Sequence, residues 1–249
     1  MQNRTKIQNW FETWFNSPYY HLLYKNRDDK EAQVFLTNLL AVLNPPENAA
    51  ILDLACGKGR HAIFLHKLGY NVTGTDLSKS SIEWAKKFEV PGLNFVVKDM
   101  REPLENKKFS CIFNLFTSFG YFDNSKDNIK VLHSAYQMLE KNGCLVIDFL
   151  NVHYVRKHMV SEELIDRNSL IFHINRKIKD NRIQKTIKFT DNGKSYTFTE
   201  YVQALDLSDF KGLISNTGMY IHSTYGNYQM EAFDADNSDR LILICKKKI

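Results

Sequence analysis

The residues best placed to do chemistry lie in residues 51–62, Ile-Leu-Asp-Leu-Ala-Cys-Gly-Lys-Gly-Arg-His-Ala, an apolar run that breaks at a glycine turn before a helical pattern. Gly57 and Gly59 let a ligand lie against the backbone, and a helix starting there presents unpaired N–H groups. The spacing Gly57-x-Gly59-x-x-Ala62 also fits a dinucleotide-binding turn. Asp53 weighs against that use, because a carboxylate beside the turn repels a pyrophosphate. It attracts an ammonium group on a cationic ligand, directly or through water. Two more acids follow in matching places: Asp76 closes the strand-like residues 71–75, and Asp99 comes just after residues 93–97. The plainer alternatives are a helix cap for Asp76 and a turn residue for Asp99.

Three acids reach one edge only if the runs that carry them are neighbouring parallel strands. The pattern supplies the crossovers. Ala32, Phe35, Leu36, Leu39, Leu40 and Leu43 recur at helical steps before Pro45-Pro46. Ala62, Ile63, Leu65 and Leu68 do so before Gly69, and Ser80-Ser81-Ile82-Glu83 has capping-box spacing for a helix through Phe88. Residues 109–116 and 144–150 read as strands around a helix marked by Ile129, Leu132, Ala135, Tyr136 and Leu139 and ended by Asn142-Gly143. Residues 170–178, 182–189 and 195–204 then read as antiparallel strands turning at Asp180-Asn181 and Asp191-Asn192-Gly193. A helix near 208–216, stopped by Gly218, and strands near 219–224 and 240–246 complete the chain. The expected fold is α/β, a mostly parallel seven-stranded sheet in one domain (1–249) with a small antiparallel β subdomain inserted at 151–204.

Composition narrows the function classes. With 43% hydrophobic and 24% charged residues in 249, the chain is neither disordered nor low-complexity. Its net charge of +5 comes from scattered basic residues, apart from the tail Lys246-Lys247-Lys248, so no nucleic-acid stripe is expected. No run approaches the length of a membrane span, and Arg4, Lys6 and Glu12 interrupt the first apolar positions, unlike a signal peptide; a cytoplasmic location without membrane contact is expected. Cys56, Cys111, Cys144 and Cys245 show no C-x-x-C spacing and the eight histidines no H-x-x-x-H pair, so no metal is expected.

The segment Asp53 to Gly59 resembles the first signature of the class I S-adenosylmethionine-dependent methyltransferases, and the likeness extends over nearly the whole chain. It implies a Rossmann-like methyltransferase fold and S-adenosylmethionine as cofactor. On that resemblance Asp53, Ala55, Gly57 and Gly59 are cofactor-binding residues of the signature. Asp76 takes the two ribose hydroxyls, Leu77 packs on adenine, Asp99 meets the adenine amine and the Met100 backbone meets the ring edge. Asn114 and Phe116, in the aromatic-rich residues 114–122, fall along the methionine half and the substrate entrance. Tyr20 and Arg27 have the seven-residue spacing of a pair that closes over the cofactor in relatives resembling glycine N-methyltransferase, with Arg27 on the carboxylate; an exposed salt bridge is the rival role for Arg27.

The resemblance further implies in-line methyl transfer to N or O of a small molecule, with no metal and no covalent nucleophile. An acceptor that must lose a proton also needs a base; Tyr121, His153 and His222 are candidates, and none is assigned. The aromatic residues from Trp10 to Tyr24 suit core packing more simply than a lid, and His61, at a helix N-terminus, suits a neutral structural role. Phe172, Ile174, Tyr196, Phe198 and Tyr201 are possible lining of the acceptor site, though packing on the sheet is the simpler fate of most. Two rival functions share these residues: an NAD(P)-dependent oxidoreductase, and a non-catalytic module that binds S-adenosylmethionine. RNA methylation is disfavoured by the missing basic stripe and by Asn114-Leu115-Phe116-Thr117 in place of an Asn-Pro-Pro-Tyr-type segment.

Overall fold

A computed structural model describes residues 10–25, 29–116 and 118–248. The chain opens with two short helices, α1 (Trp10–Phe15) and α2 (Pro18–Leu23), then α3 (Asp29–Leu43). Strand and helix next alternate: β1 (Ala50–Leu54), α4 (Arg60–Lys67), β2 (Asn71–Asp76), α5 (Lys79–Ala85), β3 (Leu93–Val97), β4 (Phe109–Asn114), α6 (Ser125–Met138) and β5 (Leu139–Leu150). After α7 (Val152–His158) come β6 (Glu162–Arg167), β7 (Leu170–Lys179), β8 (Arg182–Asp191) and β9 (Lys194–Gln203), and then α8 (Leu207–Ser215), β10 (Met219–Tyr225) and β11 (Arg240–Lys247). No helix among the described residues is long and apolar enough to cross a membrane.

Seven strands pair in the order β10-β11-β5-β4-β1-β2-β3, with β11 antiparallel to both neighbours and β1 to β5 parallel. Successive side chains point to opposite faces, so each strand feeds two cores. Ile51, Val72, Phe95, Phe113 and Val146 meet Phe35, Leu36 and Leu39 of α3 and Ala62 and Leu65 of α4. Leu52, Leu54, Ile112, Leu145 and Ile147 meet Val131, Leu132 and Ala135 of α6 and Phe210 of α8. The order reverses at β1: the chain leaves through β2 and β3, then returns to β4 on the other side. Beyond the carboxyl ends of strands at such a reversal, the diverging crossovers leave a crevice.

Local chemistry fixes the strand ends. Gly59 has φ +81, and a Cβ there would lie 2.5 Å from the ring of buried Phe95. Only glycine meets both demands, so Gly59→Ala is expected to lower the unfolding free energy by about 3 kcal/mol in urea denaturation. A loss below about 1 kcal/mol would contradict this packing.

The other four strands form an antiparallel sheet, β6-β7-β8-β9. Its turns carry left-handed residues as hairpins require: Asp180 and Asn181 at φ 51 and 54, Asn192 and Gly193 at 47 and 75. Phe172, Ile174, Ile187 and Phe189 pack against Trp14 and Leu23 of α1 and α2. Of the two fates the sequence leaves open for Phe172, Ile174, Tyr196, Phe198 and Tyr201, packing is the one observed for the first four, and none of the five borders the cavity described below. Their side of the sheet is taken up by the aromatic N-terminal helices. Polar ties fasten the same junction, with Trp14 Nε1 (2.7 Å) and the Tyr24 hydroxyl (2.6 Å) donating to Glu200.

Several boundaries differ from the sequence expectation. The cap of α5 is Ser78, whose Oγ accepts from the Ser81 N–H, and the helix gives way to a 3₁₀ turn at Lys86–Phe88. The Ser80 hydroxyl donates instead to Asn16. Helix α6 ends at Met138, because buried Leu139 already pairs with Phe109 as the first residue of β5. Strand β4 ends two residues early, at Asn114, since Phe116 has φ 62. Helix α7 and β6 were not expected; β6 is a mostly exposed, charge-bearing edge strand, which carries no apolar-run signal. Cys111 and Cys144, far apart in sequence, are register partners with Sγ atoms 3.6 Å apart.

Candidate functional site

A cavity of about 420 Å³ opens where the strand order reverses. Ala55, Cys56 and Gly57 follow β1, Asp76 ends β2 and Leu77 follows it, Asp99 and Met100 follow β3, and Leu115 and Phe116 follow β4. Phe11, Phe15, Tyr20 and Tyr24, from the first two helices and the residue after them, close the far side with Tyr121 and Phe122. The first helices thus combine the two roles weighed from sequence: Trp14 and Leu23 are core, whereas their neighbours wall the cavity.

The acids differ in how they are held. Asp76 Oδ2 accepts from the Gly57 N–H and Oδ1 from the Ser78 N–H, both at 2.8 Å. Each oxygen keeps a further lone pair for a ligand hydroxyl. Burial pushes the Asp76 carboxyl up, although the N–H groups of Ser78, Gly57 and Leu77 pull the other way. Asp53 is 1% exposed, and its Oδ2 has no hydrogen-bond partner. Burial, reinforced by the charge of Asp76, pushes it up to about 7 against the Ala62 N–H and Arg60. Asp99 is clasped by Arg101, with Nε 3.0 Å from both oxygens and Nη2 at 2.6 Å. Burial alone would raise Asp99; these bonds outweigh it and hold the carboxyl below its usual range.

Basic and aromatic groups also line the cavity. The Phe116 ring stacks on His61 at 5.0 Å and lies under the Arg60 guanidinium at 4.7 Å. His21 is pushed down to about 4 by burial and by the charge of Lys58, which keeps its imidazole neutral at pH 7. Of the three base candidates, only Tyr121 borders the cavity. His153 lies 3.8 Å from Asp206, and His222 sits on the edge strand β10, so both are withdrawn as candidates.

The cavity wall brings together Tyr20, Ala55, Gly57, Asp76, Leu77, Asp99, Met100 and Phe116. Asp53, Gly59 and Asn114 lie behind it. Gly59 is turned onto Phe95, and Asn114 spends its amide on Leu54 O at 2.9 Å, tying β4 to β1, while its Oδ1 is buried without a partner. Asp53 in β1 and Asn114 in β4 are buried, and Gly59 caps α4, so none of the three borders the cavity; the sequence reading already allowed Asp53 to act through water. Arg27 and Thr117 lie outside the described residues. Sequence reasoning passed over Lys58 and Arg60, which stand in the glycine turn itself, and His21, one residue after Tyr20.

Residues 51–143 match the model of the methyltransferase domain family. The fold superimposes on an S-adenosylmethionine-dependent methyltransferase from Clostridium acetobutylicum ATCC 824 with a TM-score of 0.77, at 20% identity, covering 93% of this chain and 96% of that one. The chain belongs to the class I S-adenosylmethionine-dependent methyltransferases. This methyltransferase is 25% identical over 259 residues to glycine/sarcosine N-methyltransferase of Aphanothece halophytica, covering 97% of this chain and 89% of the relative. It is 30% identical over 103 residues to dTDP-3-amino-3,4,6-trideoxy-α-D-glucopyranose N,N-dimethyltransferase of Streptomyces venezuelae, covering 41% and 43%. The oxidoreductase alternative is thereby set aside.

The cavity of the methyltransferase suits its cofactor chemically. A Cβ on Gly57, at φ +56, would meet nothing within 4 Å, so the turn leaves room against the backbone. The spare lone pairs of Asp76 suit a diol, and the orphaned Oδ2 of Asp53 suits a cationic group one layer away.

Proposed function

We propose that this methyltransferase transfers a methyl group to a nitrogen or oxygen of a small molecule by in-line displacement, with an amine nitrogen the favoured acceptor. One observation carries the reading: a single cavity has carboxylates at one set of strand ends and an aromatic cover over the other side, leaving space for the cofactor and a small acceptor. The names of the two relatives, a glycine/sarcosine and an amino-sugar N-methyltransferase, support the preference for nitrogen.

In this reading Asp76 takes the ribose hydroxyls, Leu77 and Met100 border adenine, Asp99 faces its amine, and Asp53 acts on the ammonium group from behind the turn. Tyr20 belongs to the cover, and Arg27 is proposed as the partner of the methionine carboxylate. The cofactor supplies a methyl group already activated by its sulfonium. The chain's own task is then to orient the acceptor, exclude water and receive a proton where one is lost. Phe11, Phe15, Tyr121 and Phe122 exclude water. Tyr121 and the imidazoles of His21 and His61 line the cavity and are its candidates for receiving a proton. We propose further that the chain acts in the cytoplasm as a single domain, 1–249, with residues 151–204 as a subdomain, and that neither nucleic acid nor membrane is a partner.

Incubation with methyl-labelled S-adenosylmethionine and a panel of amino acids, amino sugars and phenols is expected to label an amine. Label confined to added RNA, or no transfer to any member, would reject the small-molecule reading.

A further inference from the structure

Asp148 is fully buried near the end of β5 and does not border the cavity. Its Oδ1 takes the Arg240 guanidinium through Nε (2.8 Å) and Nη2 (2.6 Å). Its Oδ2 accepts from the Phe116 N–H at 3.0 Å and from the Tyr228 hydroxyl at 3.3 Å. Phe116 holds φ 62, a conformation that a residue with a side chain keeps only when its surroundings impose it. An ion pair this deep is weak evidence for stability, since apolar residues of equal volume often serve a fold as well. What it does here is aim an anionic acceptor at one strained amide. The far end of the same segment is also pinned: Gly120 O accepts from the Gln203 N–H at 2.8 Å, and Phe122 O from Gln203 Nε2 at 2.9 Å and Arg182 Nη2 at 3.1 Å.

We propose that Asp148 is a positioning residue: through the Phe116 amide it sets the wall that Phe116 and His61 form on the methyl side of the cavity, and so tunes acceptor alignment without governing cofactor affinity. The inference rests on the proposed function, taken with the resemblance that puts Phe116 along the methionine half of the cofactor and the substrate entrance. Two cofactor analogues separate the effects by calorimetry. S-adenosylhomocysteine lacks the methyl position, whereas sinefungin carries an amine there. In Asp148→Asn the affinity for S-adenosylhomocysteine is expected to stay within threefold, while the preference for sinefungin falls at least tenfold and exchange of the Phe116 amide speeds up at least tenfold. Tyr228→Phe, which strands no charge, is expected to shift the preference about threefold in the same direction and serves alone if Asp148→Asn does not fold. An unchanged preference in the variants, or equal weakening of both analogues, overturns the inference while leaving the cofactor site standing. A wild-type protein that binds neither analogue rejects the site and the inference together.

Discussion

Above pH 7 the apo form of Asp53→Asn is expected to be more stable than wild type, and the advantage should vanish near pH 4. The carboxyl of Asp53 titrates at about 7 in the fold against 3.8 in the open chain, mainly through burial. In the intervening window the folded state holds the extra proton, so stability falls as pH rises from 4 to 7. That displacement corresponds to about 4 kcal/mol when complete, less whatever the amide costs in fit. The group is buried and its Oδ2 unpartnered, so solvent offers little screening. A cationic ligand reverses the balance by favouring the carboxylate. S-adenosylmethionine binding should therefore release a proton in wild type between pH 5 and 7, tighten with pH over that range, and do neither in Asp53→Asn. Calorimetry in buffers of different ionisation heat reads the proton directly. Binding without proton release at pH 6 would show that Asp53 is not coupled to the cofactor.

Asp76→Ala should weaken both S-adenosylmethionine and S-adenosylhomocysteine by about 100-fold. Loss of two charge-assisted hydrogen bonds to a diol is worth about 3 kcal/mol, near two decades of affinity. The same carboxylate anchors the Gly57 and Ser78 N–H groups, so part of the loss could come from a slack turn. Ser78→Ala is the control for loss of the neighbouring helix cap. It removes the Oγ that caps α5 but no ligand contact, and should cost about 1 kcal/mol of stability while leaving affinity within threefold. Equal affinity in Asp76→Ala and wild type, measured by isothermal titration, would remove the ribose assignment.

The two acids show how far the sequence reaches. Asp76 is visible because it ends an apolar run, and a residue at a strand's carboxyl end is delivered to the open edge. Asp53 was visible by type but not by depth: the sequence placed a carboxylate beside the glycine turn, and the fold buried it. Asp148 gave no usable signal at all. It stands within the apolar residues 144–150, and its partners Phe116, Tyr228 and Arg240 are 32, 80 and 92 positions away.

Periodicity and turn residues determined the order of the elements other than α7 and β6, the parallel core sheet and the inserted hairpins, because helix, strand and type I′ turn are local choices, each settled within a few residues. The sequence also named the acids that face the cavity. Tertiary structure alone decided which aromatic residues cover that cavity and which become core, since the burial of Trp14 against Phe172 and the exposure of Tyr20 to the cavity depend on a sheet about 150 residues downstream. It likewise decided that β4 stops at Asn114: a strained backbone persists only where distant groups hold it, and no local pattern records that they do.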